Sequence, residues 1–158
     1  MVHGKSTLAK YLANKFNLEI LHSSSETKND LDYHIELIEK DNIVLDRANL
    51  GEIVYPLIYG REPKMTLDEQ AYFMTFCDTQ KVIYIIFYAS NFNTLKDRLF
   101  NRGDTKQVLN NAKRLNALYR ILAESYENIY SNVYTIDITE DSDQIQWFED
   151  NVIIDEEE

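Results

Sequence analysis

Asn42-Ile43-Val44-Leu45-Asp46-Arg47 is the stretch on which the fold of this 158-residue chain turns. Three consecutive apolar residues are followed at once by a carboxylate and a guanidinium. An unbroken apolar run, rather than an alternating one, is the pattern of a strand covered on both faces, which is the environment of a parallel sheet. A carboxylate at the tip of such a strand is costly unless it has a partner or a task.

Working outward, the pattern switches repeatedly between strand and helix. Toward the C-terminus the spacing predicts a helix over 50–59 and a turn at 60–64 containing Pro63. Thr66-Leu67-Asp68-Glu69 has the form of a capping box and opens a helix to about Asp78. A second apolar strand is expected over 81–88 and a helix over 93–101, with Gly103 closing it. A long helix follows over 108–130, with Leu115, Leu118, Leu122 and Ile129 as its apolar stripe. A strand at 133–138 and a helix at 143–151 complete the series.

Toward the N-terminus, Leu8, Leu12 and Phe16 recur at helical spacing over 5–16, and a strand is expected at 18–21. The helix over 30–39 carries Leu31, Ile35 and Ile38 on one face. Alternating strands and helices predict an α/β fold, an open parallel sheet between two helical layers. Ligands of such sheets sit at the carboxyl ends of the strands. Residues 1–151 read as one domain and 152–158 as a solvated acidic tail.

Composition narrows the function. Hydrophobic residues make up 44% of the chain, enough for a core, and the formal net charge is −11. That charge argues against broad binding to nucleic acid or to an anionic membrane, which needs basic surface. A small phosphate ligand remains compatible, since a few local cations suffice. The single cysteine, Cys77, reads as a buried apolar residue, and neither a disulfide nor a metal-type Cys/His spacing is available. No apolar run approaches the ~20 residues that span a bilayer, and no signal-peptide pattern opens the chain. A reducing cytoplasm is the natural expectation.

Three features carry chemistry. Gly4-Lys5-Ser6-Thr7 opens the first helix and matches the second half of a phosphate loop, Gly-x4-Gly-Lys-Ser/Thr. The first glycine of that motif and its preceding strand would fall ahead of Met1. Lys5 would reach the β- and γ-phosphates, and the Ser6 hydroxyl would ligate Mg2+. A helix that merely begins Gly-Lys-Ser-Thr is the plain alternative. Asp46 would hold Mg2+ directly or through water, and Arg47 would grip a phosphoryl group of the substrate with its two-pronged fork. An Asp-Arg ion pair, or an Asp capping the next helix, explains that pair equally well. Arg98 and Arg102 are four apart on one helix face, where two cations repel each other unless an anion is near. Two solvated arginines are the alternative there.

Other residues are marked by place. His22 follows a strand at the ligand edge and reads as either pocket wall or surface. His34, beside acidic residues, is expected to be solvated. Tyr55, Tyr59 and Arg61 surround a turn near the expected acceptor site, where stacking on a base competes with simple packing. Trp147 is expected to anchor the last helix.

In order and spacing, these motifs resemble the thymidylate kinase and deoxynucleoside kinase group, in particular short phage-type deoxynucleotide kinases, with the phosphate loop truncated at the N-terminus. The matching residues are Gly4-Lys5-Ser6-Thr7-Leu8-Ala9, Asp46-Arg47 with Glu52 and Val54-Tyr55, Arg98 to Asp104, and Arg114 with Tyr119. The resemblance implies a P-loop fold lacking most of its first strand. It implies that Gly4, Lys5, Ser6 and Thr7 serve ATP and Mg2+, with Asp46 as the second metal ligand. It further implies that Arg47, Glu52, Tyr55 and Arg61 serve a small nucleotide acceptor, and that Arg98 and Arg102 flank a lid closing over ATP. A homodimer is the group's common assembly. Gly51 departs from the serine that thymidylate kinases often carry after Asp-Arg. Nucleoside kinases usually place a carboxylate base just after the second strand, and Glu26, four residues past His22, matches that position poorly. A deoxynucleoside monophosphate, already an anion, needs no base and is the preferred acceptor. A deoxynucleoside and a non-catalytic nucleotide-binding role are the alternatives.

Overall fold

The computed structural model describes residues 5–23, 28–101, 106–152 and 154, with side chains at 98–101 and 106–108 excepted. The elements run α1 (Lys5–Phe16), β1 (Glu19–His22), α2 (Leu31–Glu39), β2 (Ile43–Asp46), α3 (Gly51–Tyr59) and α4 (Leu67–Thr79). They continue with β3 (Tyr84–Tyr88), α5 (Asn93–Asn101), α6 (Lys106–Ile129), β4 (Val133–Asp137) and α7 (Gln144–Asn151). The expected elements form within a few residues of their anticipated ends, because local signals fix them. Asp30 caps α2 through Tyr33 N–H. The Thr66–Glu69 capping box closes in both directions. Gly60, at φ 65°, ends α3 in the left-handed conformation that glycine adopts without a Cβ clash.

All strand pairs are parallel, but the sheet is in two halves. β1 pairs with β2 in the register Glu19–Ile43 through His22–Asp46. β3 pairs with β4 from Tyr84–Val133 to Tyr88–Asp137. Among the described residues nothing pairs with the edges that β2 and β3 turn toward each other.

The helices form two layers around β3 and β4. Phe87 and Ile136 point into a core with Leu8 of α1, Leu95 of α5 and Trp147 and Phe148 of α7. Tyr84, Ile86 and Val133 point into the opposite core with Phe73, Met74 and Cys77 of α4 and Ala123 of α6. Successive strand residues thus feed opposite cores, as the period of two requires. Trp147 is buried as expected, and burial in the second core pushes the Cys77 thiol up to about 12.

Three expectations about burial change. Ile43, Val44 and Leu45, read as fully covered, are only half-buried, and among the described residues β2 pairs with β1 alone. On α6 the buried positions are Asn116 and Ala123, whereas Ile129 is 65% exposed. Leu122 of the expected stripe packs against the second core beside Ala123. His34 is fully buried rather than solvated. It lies on the Leu31–Ile35–Leu37 side of α2, with Nδ1 2.9 Å from the Asp30 carbonyl and its ring edge-on to Phe73.

Candidate functional site

The carboxyl end of β2 is where the sequence concentrated its candidates, and the backbone there is unusual. Arg47 follows the strand at φ 71°. A residue with a Cβ rarely adopts that conformation, and such positions concentrate at functional sites. Asp46, at the strand tip, is 7% exposed. Its Oδ2 lies 3.2 Å from Nδ1 of His22, the residue opposite it in the β1–β2 register. The pairing follows from that register, which the sequence did not show.

Lys5 opens α1 within electrostatic reach of the same group. Burial lowers its pKa from the ordinary 10.5 to about 8. Asp46 opposes that shift and Arg47 adds to it. The first turn of α1 contains no acidic residue, so the positive end of this helix is not offset by side chains of its own first turn. A partly buried ammonium and a helix N-terminus at one place form a site for an anion.

Lys5, Asp46, Arg47, Glu52, Tyr55 and Arg61 all line one cavity of about 1000 Å³. The sequence had placed them on three separate segments. Within it, Glu52 and Arg61 are engaged with each other. Arg61 donates from Nη1 and Nη2 to the two Glu52 oxygens at 3.0 and 2.8 Å, and Lys64 N–H donates to Oε1 at 2.9 Å. These bonds outweigh the cost of burial and hold the Glu52 carboxyl below its ordinary pKa, although burial alone is the largest influence and acts upward. Together they pin the turn after α3 to the cavity wall. Tyr55 stacks on Tyr59, with centroids 6.2 Å apart and rings 7° from parallel. Tyr119 of α6 lines the cavity too; burial first, and Tyr55 second, push its hydroxyl upward, while Arg47 pulls the other way. Ser6 is partly buried and Thr7 exposed on the first turn of α1. Gly4, Arg102 and the Arg98 side chain lie outside the described residues.

A buried polar network behind the site escaped the sequence reading. Asn49 donates to Gln70 Oε1 at 2.6 Å, Gln70 returns a bond to the Asn49 carbonyl at 3.0 Å, and the Tyr84 hydroxyl donates to Asn49 Oδ1 at 2.6 Å. It ties the loop carrying Asp46 and Arg47 to α4 and β3. At the carboxyl ends of the other strands, Asn116 bonds both the N–H and the carbonyl of Ala89, and Asp137 accepts from Ser90 and Thr139 N–H. The available signal was a polar residue standing where the apolar period calls for core, as at Gln70 and Asn116.

No protein-family model matches the chain, and no curated protein matches it in sequence. Solved structures do match. The YorR protein from Bacillus subtilis, in complex with phosphorylated GDP, superposes with a TM-score of 0.69 at 20% identity, covering 96% of this chain and 94% of that one. Deoxyadenosine kinase from M. mycoides, with the products dCMP and a flexible dCDP bound, superposes with a TM-score of 0.53 at 16% identity, covering 97% and 96%. The chain shares its fold with these two structures. The expected α/β class with parallel strands is borne out on the same grounds. Among the described residues no helix is long and apolar enough to cross a membrane.

Proposed function

We propose that this chain transfers the γ-phosphoryl group of ATP, with Mg2+, to a deoxynucleoside monophosphate. The observation that carries this reading is the convergence of Lys5, Asp46 and Arg47 on one cavity at the carboxyl end of β2. Two cations and a helix N-terminus suit a chain of phosphates, and a buried carboxylate beside them suits the metal that travels with a nucleotide.

The donor set fits magnesium in that role. Among the described residues no group of three or more carboxylates, imidazoles and thiols could hold a metal by itself. Nucleotide-bound magnesium needs only one or two protein oxygens, the rest coming from phosphates and water. Asp46 and the Ser6 hydroxyl would supply them, and the bound ion would neutralise phosphate charge. Lys5 then balances charge on the donor phosphates. Arg47 holds the phosphate of the acceptor, and Tyr55 and Tyr119 offer aromatic faces for its base. Glu52 and Arg61 act on the acceptor by fixing the cavity wall. Arg98 and Arg102 flank the lid that excludes water over ATP. Two of the cavity's carboxylates, Asp46 and Glu52, are engaged by His22 and by Arg61, which fits an acceptor that needs positioning more than a general base. The nucleotides bound in the two similar structures lend support to this class of ligand.

A coupled ADP-release assay over a panel of deoxynucleoside monophosphates and deoxynucleosides tests the proposal. Turnover with monophosphates is expected. Turnover confined to nucleosides would move the acceptor to a free 5′-hydroxyl. ATP binding without turnover on any acceptor would leave a non-catalytic nucleotide-binding role.

A further inference from the structure

A second cavity, of about 310 Å³, opens between α5 and α6, and none of its lining residues lines the cavity that holds Lys5 and Asp46. Phe92, Asn93 and Lys96 form one wall; Leu109, Asn110 and Lys113 form the other. The two walls repeat one pattern, an apolar residue followed at once by Asn and then, three residues on, by Lys. Residues three apart on a helix share a face, so each helix brings an amide and an ammonium to the same space. Phe92 and Leu109 are half-buried and supply an apolar base, while both asparagines and both lysines are exposed. The chain has 27 acidic residues against 16 Lys and Arg, yet among the described residues no carboxylate lines this cavity. Among the described residues no ion pair engages either ammonium, and no hydrogen bond engages the side-chain amides of Asn93 and Asn110. Two ammoniums brought together from separate helices repel each other unless an anion lies between them.

We propose that this cavity binds a phosphate monoester with a small, partly apolar body. A phosphate group carries about −1.5 to −2 charge at pH 7, which answers two ammoniums, and lysine meets phosphate as a point charge. Phe92 and Leu109 take the apolar part of the body. The amides of Asn93 and Asn110 both donate and accept, so they suit its polar edge. The volume lies at the small end of ligand sites, which keeps the body small. The walls are tied together before any ligand arrives. Asn116, one turn after Lys113, bonds both the N–H and the carbonyl of Ala89, three residues ahead of Phe92. Lys96 and Arg98 are two apart and do not share a helix face, so the site is separate from the arginine pair expected over ATP. This assignment stands apart from phosphoryl transfer and holds whether or not the chain turns over ATP.

The test titrates phenyl phosphate and inorganic phosphate, at constant ionic strength, into the full chain and follows backbone amide shifts by NMR. Lys96→Gln, Lys113→Gln, Lys5→Met and, as a control for surface charge, Lys10→Gln are compared with the native chain. Lys96 and Lys113 are exposed, so neither substitution removes packing. Phenyl phosphate is expected to shift the amides of Asn93, Lys96, Asn110 and Lys113 with saturation, and more tightly than inorganic phosphate. Lys96→Gln and Lys113→Gln should each weaken that binding about tenfold, with Lys10→Gln like the native chain. Lys5→Met should leave these four shifts in place, which separates this site from the larger cavity. No saturation, an equal loss in Lys10→Gln, or unchanged affinity in both lysine variants overturns the proposal. Shifts that vanish with Lys5→Met assign the binding to the larger cavity and overturn it too. Equal affinity for inorganic phosphate gives the site to the free ion and overturns the ester.

Discussion

Replacing Lys5 by Met separates what this residue costs the fold from what it does for a ligand. The ammonium is partly buried at the positive end of α1, near Arg47, and its pKa falls from 10.5 to about 8. The gap corresponds to at most ~3 kcal/mol held against folding when the group is charged. Solvent access to the side chain reduces this to ~1–2 kcal/mol. The sign follows from proton binding. Between about pH 8 and pH 10.5 the unfolded chain holds a proton on Lys5 that the folded chain has released, so native stability rises with pH across that window. Lys5→Met is therefore expected to be more stable than the native chain by ~1–2 kcal/mol at pH 7, with the advantage fading toward pH 10. Methionine keeps the apolar stem in contact with its surroundings, so packing changes little. Urea unfolding followed by Trp147 fluorescence at pH 7 and pH 9.5 measures both values. Calorimetry with ATP and magnesium should show at least about tenfold weaker binding in the same variant. A variant less stable than the native chain at pH 7, or an advantage that does not change with pH, refutes the reasoning.

Three further outcomes follow from contacts already described. Arg61→Ala takes both guanidinium bonds from the nearly buried Glu52 carboxylate and should cost ~2–3 kcal/mol; Glu52→Gln, which keeps a neutral acceptor, should cost less, and the double variant less than the sum in a mutant cycle by urea unfolding. Tyr84→Phe removes a buried donor from Asn49 Oδ1 and should lower stability by ~1–3 kcal/mol, with any loss of turnover appearing in kcat more than in KM because the loop carrying Asp46 and Arg47 loosens. Asp46→Asn should fold, since the strand tip keeps a polar side chain opposite His22, yet lose about 100-fold or more in kcat at saturating magnesium; unchanged turnover would remove Asp46 from the metal's environment.

The sequence by itself determined the elements and their class. Helix limits were legible because caps and stops are local, as at Asp30, the Thr66–Glu69 box and Gly60. The parallel class was legible because Ile43-Val44-Leu45 is unbroken rather than alternating, a property of adjacent residues. Asp46 and Arg47 stood out because they end an apolar strand, again a property of adjacent residues.

Tertiary structure decided the partners. Whether Glu52 meets a ligand or Arg61 depends on the path of the turn after α3, which no local spacing encodes. His34 was read by its acidic neighbours in sequence, but its burial depends on α4 and Phe73 packing across it. The network of Asn49, Gln70 and Tyr84 joins residues 21 to 35 positions apart. Such pairings form only when separate elements meet, so their sequence trace is no more than a polar residue out of step with its apolar period. The apolar run at 43–45 shows both sides of this division. Its composition announced a strand meant for cover on both sides, and only the assembled sheet showed that among the described residues β1 is its one strand partner and that it lines the cavity.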